Sequence, residues 1–172
     1  MKIGLDIDEV ICDWVSSWMK KYGFKERPTT WYFDDKIMER FETMRKNQGK
    51  SKWFSELDEF YLNLKPLFFS NELPFEPHCY ITARPVNTEI TNMWLKAYDF
   101  PDKLVYTVPS RTSKVNAAKK AAIDIFIDDS YENFIDLNDN GIRTYLFTRE
   151  HNKQYDVGEM RIDSFSDLLV LK

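Results

Sequence analysis

An apolar run, Ile3-Gly4-Leu5, breaks into acid at Asp6 and again at Asp8, and no other stretch constrains the fold so strongly. A short run without a polar face must be covered on both sides, as a strand inside a parallel sheet is. In open sheets of that kind, ligands bind beyond the carboxyl ends of the strands. Two carboxylates at such an end are costly unless a cation or a reaction uses them. An acidic turn after an edge strand would explain the pair without any chemistry, since such turns are common. The rest of the chain decides between the two.

After Asp8 the period changes. Val10, Ile11, Trp14, Val15, Trp18 and Tyr22 fall on one helical face that ends near Gly23. From His78 onward apolar runs alternate with helical patterns. Residues 79–81 end at Thr82, and residues 104–108 lead into a polar turn, Ser110 to Lys114. Residues 125–127 run into Asp128 and Asp129, and residues 142–147 alternate as a strand does. Between them lie the helical sets Ile90, Met93, Trp94, Ala97, then Val115, Ala118, Ala121, Ala122, then Tyr131, Phe134, Ile135, Leu137. Gly141 follows the last set as a C-terminal cap, and residues 168–171 close the chain as a short helix. This alternation predicts an α/β fold, a doubly wound parallel sheet covered by helices on both faces.

Residues 24–75 differ. They hold 12 aromatic residues with Pro28, Pro66 and Pro74, and no long β-branched run. Ile37, Phe41 and Met44 repeat at helical spacing, as do Phe54, Leu57, Tyr61 and Leu64, with a polar loop over residues 47–51 between them. The pattern predicts a small helical cap lobe at 24–75, inserted into a core made of residues 1–23 and 76–172. Most of its rings are expected to form the lobe's own core. Trp31 and Phe33, in the densest aromatic group, are the candidates for touching a substrate.

The 172 residues suffice for one buried domain with such a lobe. The formal net charge of −4, with no basic block, argues against an extended nucleic-acid footprint. No apolar stretch reaches membrane-spanning length, and Met1-Lys2-Ile3 does not open a secretory signal, so the cytoplasm is the expected compartment. Cys12 and Cys79 have neither metal-site nor disulfide spacing and read as buried thiols. His78 and His151 read as solvent-facing or structural. A homodimer is compatible with the sequence.

In a right-handed parallel sheet the ends carrying Asp6 and Asp8, Thr82, the Ser110–Lys114 turn, and Asp128 with Asp129 emerge on one edge. Four acids, a hydroxyl and a lysine collected there suit phosphoryl transfer. Crowded carboxylates call for a hard cation, and Mg²⁺ fits because it binds few carboxylates and accepts phosphate oxygens. One carboxylate can attack phosphorus, and a second can protonate the leaving oxygen and later activate water. A lysine and a hydroxyl or amide then hold the phosphoryl oxygens.

Asp6-Ile7-Asp8-Glu9-Val10, Thr82, Lys114 and Asp128-Asp129 resemble the four motifs of the haloacid-dehalogenase-like phosphohydrolases, in order and in strand context. The nearest subgroup is the small 5'(3')-deoxyribonucleotidases, whose first motif also continues to an acid in the place of Asp13. The resemblance implies a Rossmann-like core and a Mg²⁺-dependent phosphatase acting on nucleoside monophosphates. It implies Asp6 as nucleophile and metal ligand, and Asp8 as general acid/base with its carbonyl on the metal. Thr82 and the amide of Ala83 would bind phosphate, and Lys114 would neutralise it and orient Asp6. Asp128 and Asp129 would complete the metal site. Arg84 would reach the phosphate or lie on the surface before its proline. Lys119 and Lys120 compete for the lysine role but lie further along their helix. Asp13 and Ser130 also read as helix caps, and Glu9 stands where many members carry glycine. Another small phosphorylated metabolite or a nucleic-acid 3' end is the alternative substrate, and a non-catalytic phosphate-binding module the alternative class.

Overall fold

The computed structural model describes residues 1–25, 42–43 and 45–169. In chain order its strands and helices are β1 (Ile3–Leu5), β2 (Cys12–Asp13), α1 (Trp14–Tyr22), α2 (Lys50–Leu62), β3 (Lys65–Pro66), β4 (Cys79–Thr82) and α3 (Thr88–Ala97). They continue as β5 (Leu104–Thr107), α4 (Val115–Ala121), β6 (Ile125–Asp128), α5 (Tyr131–Asp139), β7 (Arg143–Phe147) and β8 (Arg161–Ile162). Short 3-10 turns join several of these, and one at Phe165–Leu169 stands where a closing helix is expected. No helix among the described residues is long and apolar enough to cross a membrane.

Six strands form one sheet in the order β5-β4-β1-β6-β7-β8, every pair parallel. This is the expected doubly wound α/β arrangement, with β1 at its centre. Leu5 pairs with Tyr80 on one side and Ile127 on the other. One residue further, Asp6 therefore stands beside the end of β6, and its N–H bonds to the Ile127 carbonyl at 2.9 Å.

Alternation along the strands divides the core. Ile3, Leu5, Tyr80, Ile125 and Ile127 join a large cluster with Trp18, Trp53, Leu57, Tyr61 and Trp94. Cys79, Ile81 and Phe126 face the other way, against Val115, Ala118, Ala121 and Leu137 of α4 and α5. Trp53, Phe60 and Tyr61, from within the 24–75 insert, thus belong to the same core as the central strand. The Trp94 indole also donates to the Leu64 carbonyl at 2.8 Å.

α1 begins later than periodicity suggests, and α2 begins earlier, at Lys50 inside the expected polar loop. α1 starts at Trp14 because Val10, Ile11 and Cys12 close a turn instead: their N–H groups all reach the Ile7 carbonyl, at 3.3, 2.9 and 3.0 Å. The chain then pairs as β2 with β3, antiparallel, a ribbon too short to show a pattern. Asp13 caps α1 through Ser16 N at 3.1 Å, and Gly23 ends it in the left-handed region at φ 71. Ser130 caps α5 through Asn133 N at 3.3 Å. Met93 and Phe54, placed on buried faces by spacing, are 56% and 55% exposed, while Leu95 and Trp53 are buried in their stead.

Gly4 sits where the sheet leaves no room. A Cβ there would lie 2.9 Å from Phe126 Cδ2 and 3.1 Å from Ile123 Cδ1. Gly4→Ala is expected to destabilise the protein by about 1–3 kcal/mol through overpacking. Each kcal/mol lowers the melting temperature by about 2–4 °C at this size. An unchanged or raised Tm would show that Phe126 yields freely.

Candidate active site

The strand ends converge as their order requires. Lys114, at the start of α4, places its Nζ 2.9 Å from Asp6 Oδ2 and 2.8 Å from Asp128 Oδ2. The lysine is 2% exposed and Asp128 fully buried, so this ion pair lies out of water. Lys119 and Lys120 lie exposed on the same helix, which leaves Lys114 as the residue at the acids. Asp128 Oδ1 accepts from Ser130 N at 2.9 Å, and Asn133 Nδ2 reaches both Asp128 oxygens, at 3.2 and 3.1 Å. Asp6, Asp128 and Asp129 each offer an oxygen within 4.8 Å of the others.

Some atoms here lack partners. Asp6 Oδ1, Asp129 Oδ1 and the Thr82 hydroxyl are buried and make no hydrogen bond within the protein. A buried polar atom left unsatisfied costs about 1–3 kcal/mol, so such atoms point to a ligand. Three carboxylates facing one ammonium are also short of positive charge. Burial pushes the Asp6 carboxyl well above its usual range, against the pull of Lys114 and with the push of Asp128, Asp129 and Asp8. Burial raises Asp129 as well, despite the hydrogen bond from His151. An all-oxygen donor set with unused lone pairs and excess negative charge fits a hard divalent cation such as Mg²⁺.

The turn after β1 holds the second acid. Asp8 is 8% exposed and aims at Arg84, whose Nη2 lies 2.7 Å from Asp8 Oδ1. Arg84 is not the surface residue that one reading of the sequence allows: it is 2% exposed, drawn inward by Asp8. Glu9 adopts φ 58, a left-handed conformation that suits glycine. Its carboxylate accepts from Val15 N at 2.7 Å, which helps cap α1. Arg149 donates from Nε to the Glu9 carbonyl and from Nη2 to the Val10 carbonyl.

A cavity of about 1010 Å³ opens over this turn. Asp8 lies on its wall, with Ala83, Ser113 and Ser130, the chain neighbours of Thr82, Lys114 and Asp129. Trp14, Trp18, Trp53, Phe60 and Tyr61 line its aromatic side. Trp31 and Phe33 lie outside the described residues, as do Ile37 and Phe41.

Sequence reasoning did not single out Asn133, Arg149, Asn152 or the contact of His151. His151 is buried, its Nε2 2.8 Å from Asp129 Oδ2, and so is structural rather than solvent-facing. Asn152 donates to the carbonyls of Asp129 and Phe147, at 2.7 and 2.8 Å. An asparagine five residues after a strand-end aspartate, one helical turn on, was the one signal available for Asn133.

Burial, with the nearby Asp129, pushes the Glu9 carboxyl up to about 7. The folded protein then holds a proton that the unfolded chain releases above its ordinary value of 4.5. Stability from this group is therefore present below that value and is lost as pH rises toward 7. Glu9→Gln keeps an acceptor for Val15 N, and in metal-free protein it is expected to flatten the fall in stability over this window. Urea titrations at the two ends of the window, on both proteins, check this; parallel slopes would refute it.

No protein-family model matches this chain, and no curated protein matches it. Among solved structures it is similar to a crystal structure of an L-2-haloacid dehalogenase, with a TM-score of 0.60 at 12% identity. The match covers 97% of this chain and 96% of that one. At that identity the likeness is one of fold: the parallel α/β sheet flanked by helices.

Proposed function

We propose that this protein is a Mg²⁺-dependent phosphomonoesterase that works through an aspartyl-phosphate, and that nucleoside monophosphates are its substrates. The observation that carries this reading is the buried Asp6–Lys114–Asp128 cluster, with an unpartnered Asp6 oxygen and an unpartnered Thr82 hydroxyl beneath an aromatic cavity. Phosphate-monoester hydrolysis is among the slowest of uncatalysed reactions, which accounts for so many charged groups in one place. A carbon–halogen displacement expels halide and needs no proton donor. It also transfers no phosphoryl group whose charge a cation on Asp128 and Asp129 would offset.

In this reading Asp6, held through Oδ2 by Lys114, presents a carboxylate oxygen to phosphorus. Asp8 protonates the leaving oxygen and then takes a proton from water. Lys114 offsets charge on the transferring group and keeps Asp6 in place. The Thr82 hydroxyl and the Ala83 amide bind phosphoryl oxygens. Asp6, Asp128 and Asp129, with the Asp8 carbonyl, hold the cation, which when bound neutralises phosphate charge and keeps Asp6 ionised.

The cap role of residues 24–75 belongs to the same proposal. Stacking a base on an aromatic ring is worth about 1–3 kcal/mol, so one or two of the cavity's rings are enough to select a nucleotide. A sugar phosphate would make little use of that wall. A homodimer and a cytoplasmic setting agree with this reading but do not bear on it.

Four outcomes test the proposal. Mg²⁺ at about a hundredfold excess over its Kd should raise Tm by about 5–10 °C in wild type and not in Asp128→Asn. Asp6→Asn should lower kcat by about 10⁴-fold or more. Borohydride reduction during turnover should convert Asp6 to homoserine, detected by mass spectrometry. A substrate panel of nucleoside 5'- and 3'-monophosphates, sugar phosphates and a 2-haloacid decides the substrate; equal rates on sugar phosphates and nucleotides would remove the nucleotide claim.

A further inference from the structure

The acid that would move the proton is held from behind. Arg84 Nε donates to Asp8 Oδ1 at 3.0 Å and to Oδ2 at 3.1 Å, and Nη2 donates to Oδ1 at 2.7 Å. The Cys12 thiol donates to the same Oδ1 at 3.2 Å while accepting from Arg84 Nη2 at 3.1 Å. Burial raises the Cys12 pKa, so the thiol keeps the proton it donates. Oδ1 thus has three donors and Oδ2 one. The Arg84 side chain is fully buried, and its guanidinium lies over the rings of Tyr61 at 4.9 Å and Trp94 at 5.6 Å. Tyr61 is in turn fixed by the Trp14 indole, which donates to its hydroxyl at 3.0 Å.

These contacts set Arg84 apart from two ordinary roles, although its Nη1 makes no hydrogen bond within the protein. A surface arginine would keep its charge in water, and a phosphate ligand would project into the cavity. Arg84 does neither, although its neighbours Ala83 and Pro85 line that cavity. Its ion pair is with Asp8, a carboxylate that Lys114 does not reach.

We propose that Arg84 is a positioning residue for Asp8: it fixes the carboxylate at the cavity wall and, with Cys12, saturates Oδ1, so that Oδ2 carries the transferred proton. The inference rests on the phosphatase reading above. In the first half-reaction an Asp6 oxygen bonds to phosphorus while the ester P–O bond breaks. The leaving oxygen takes the proton from Asp8 Oδ2 and departs as the alcohol. In the second, water attacks phosphorus and gives its proton to Oδ2. The bond from Asp6 to phosphorus then breaks, releasing inorganic phosphate and restoring both acids.

The test compares kcat/KM for phenyl phosphate, whose leaving group needs a proton, with that for 2,4-dinitrophenyl phosphate, whose leaving group does not. Both are measured on one preparation with Mg²⁺, so the folded fraction cancels from the ratio. Arg84→Lys keeps the charge but loses the two-pronged hold. It should lower the phenyl ester at least about tenfold more than the dinitrophenyl ester, within the range general acid catalysis supplies. In an Asp8→Asn background the same substitution should leave the ratio unchanged. Cys12→Ala removes one donor to Oδ1 and should shift the ratio in the same direction; it carries the test if Arg84→Lys does not fold. An equal fall on both esters overturns the proposal, and if inhibition by inorganic phosphate weakens in parallel, Arg84 is a phosphate ligand instead. Wild type hydrolysing neither ester defeats the phosphatase reading itself, a result distinct from failure of the Arg84 inference.

Discussion

A single buried ammonium ties the centre of this molecule together. Lys114 reaches Asp6 from β1 and Asp128 from β6 at nearly equal distances, although the three residues come from separate parts of the chain. Burying an ammonium is costly without partners, and burying two carboxylates side by side is worse. Each charge is tolerable only because the others are present. The parallel sheet supplies the register that brings Asp6 beside Asp128, and the short helix α4 delivers the lysine to them. Asp129, next in the chain, leans on His151.

The fold was largely legible because buried strands announce themselves: runs such as residues 125–127 have no polar face, and the helices between them keep their period. The residues that meet at the candidate site were legible for the same reason, since Asp6, Thr82 and Asp128 each stand where an apolar run stops. Elements without a period were hidden. The two-residue β2, β3 and β8 are set by tertiary pairing. Arg84 was visible as a residue but not as a partner, because its tie to Asp8 spans 76 positions. His151 and Arg149 were hidden likewise, since nothing local in the sequence distinguishes a buried histidine from an exposed one.

The backbone conformation of Glu9 has a physical account. Its backbone takes the left-handed conformation that glycine would adopt without strain. The cost is met by what a side chain can add: a carboxylate on the first turn of α1, where N–H groups lack partners. Arg149 secures the carbonyls on the other side of the turn. Glycine would give an easier turn with a looser helix start, whereas glutamate joins turn and helix into one unit.

That turn is also where the chain is anchored after α2. Cys12 and Asp13 pair with Pro66 and Lys65, and the Leu67 N–H reaches the Ile11 carbonyl at 2.9 Å. The segment that follows α2 is thus bonded to the same few peptide groups that shape the loop carrying Asp8. Mechanically, that segment and the loop share one root. A force applied to the returning strand, whether by a bound molecule or a neighbouring protein, would be felt first as torsion at Asp8, without any relay through the rest of the core.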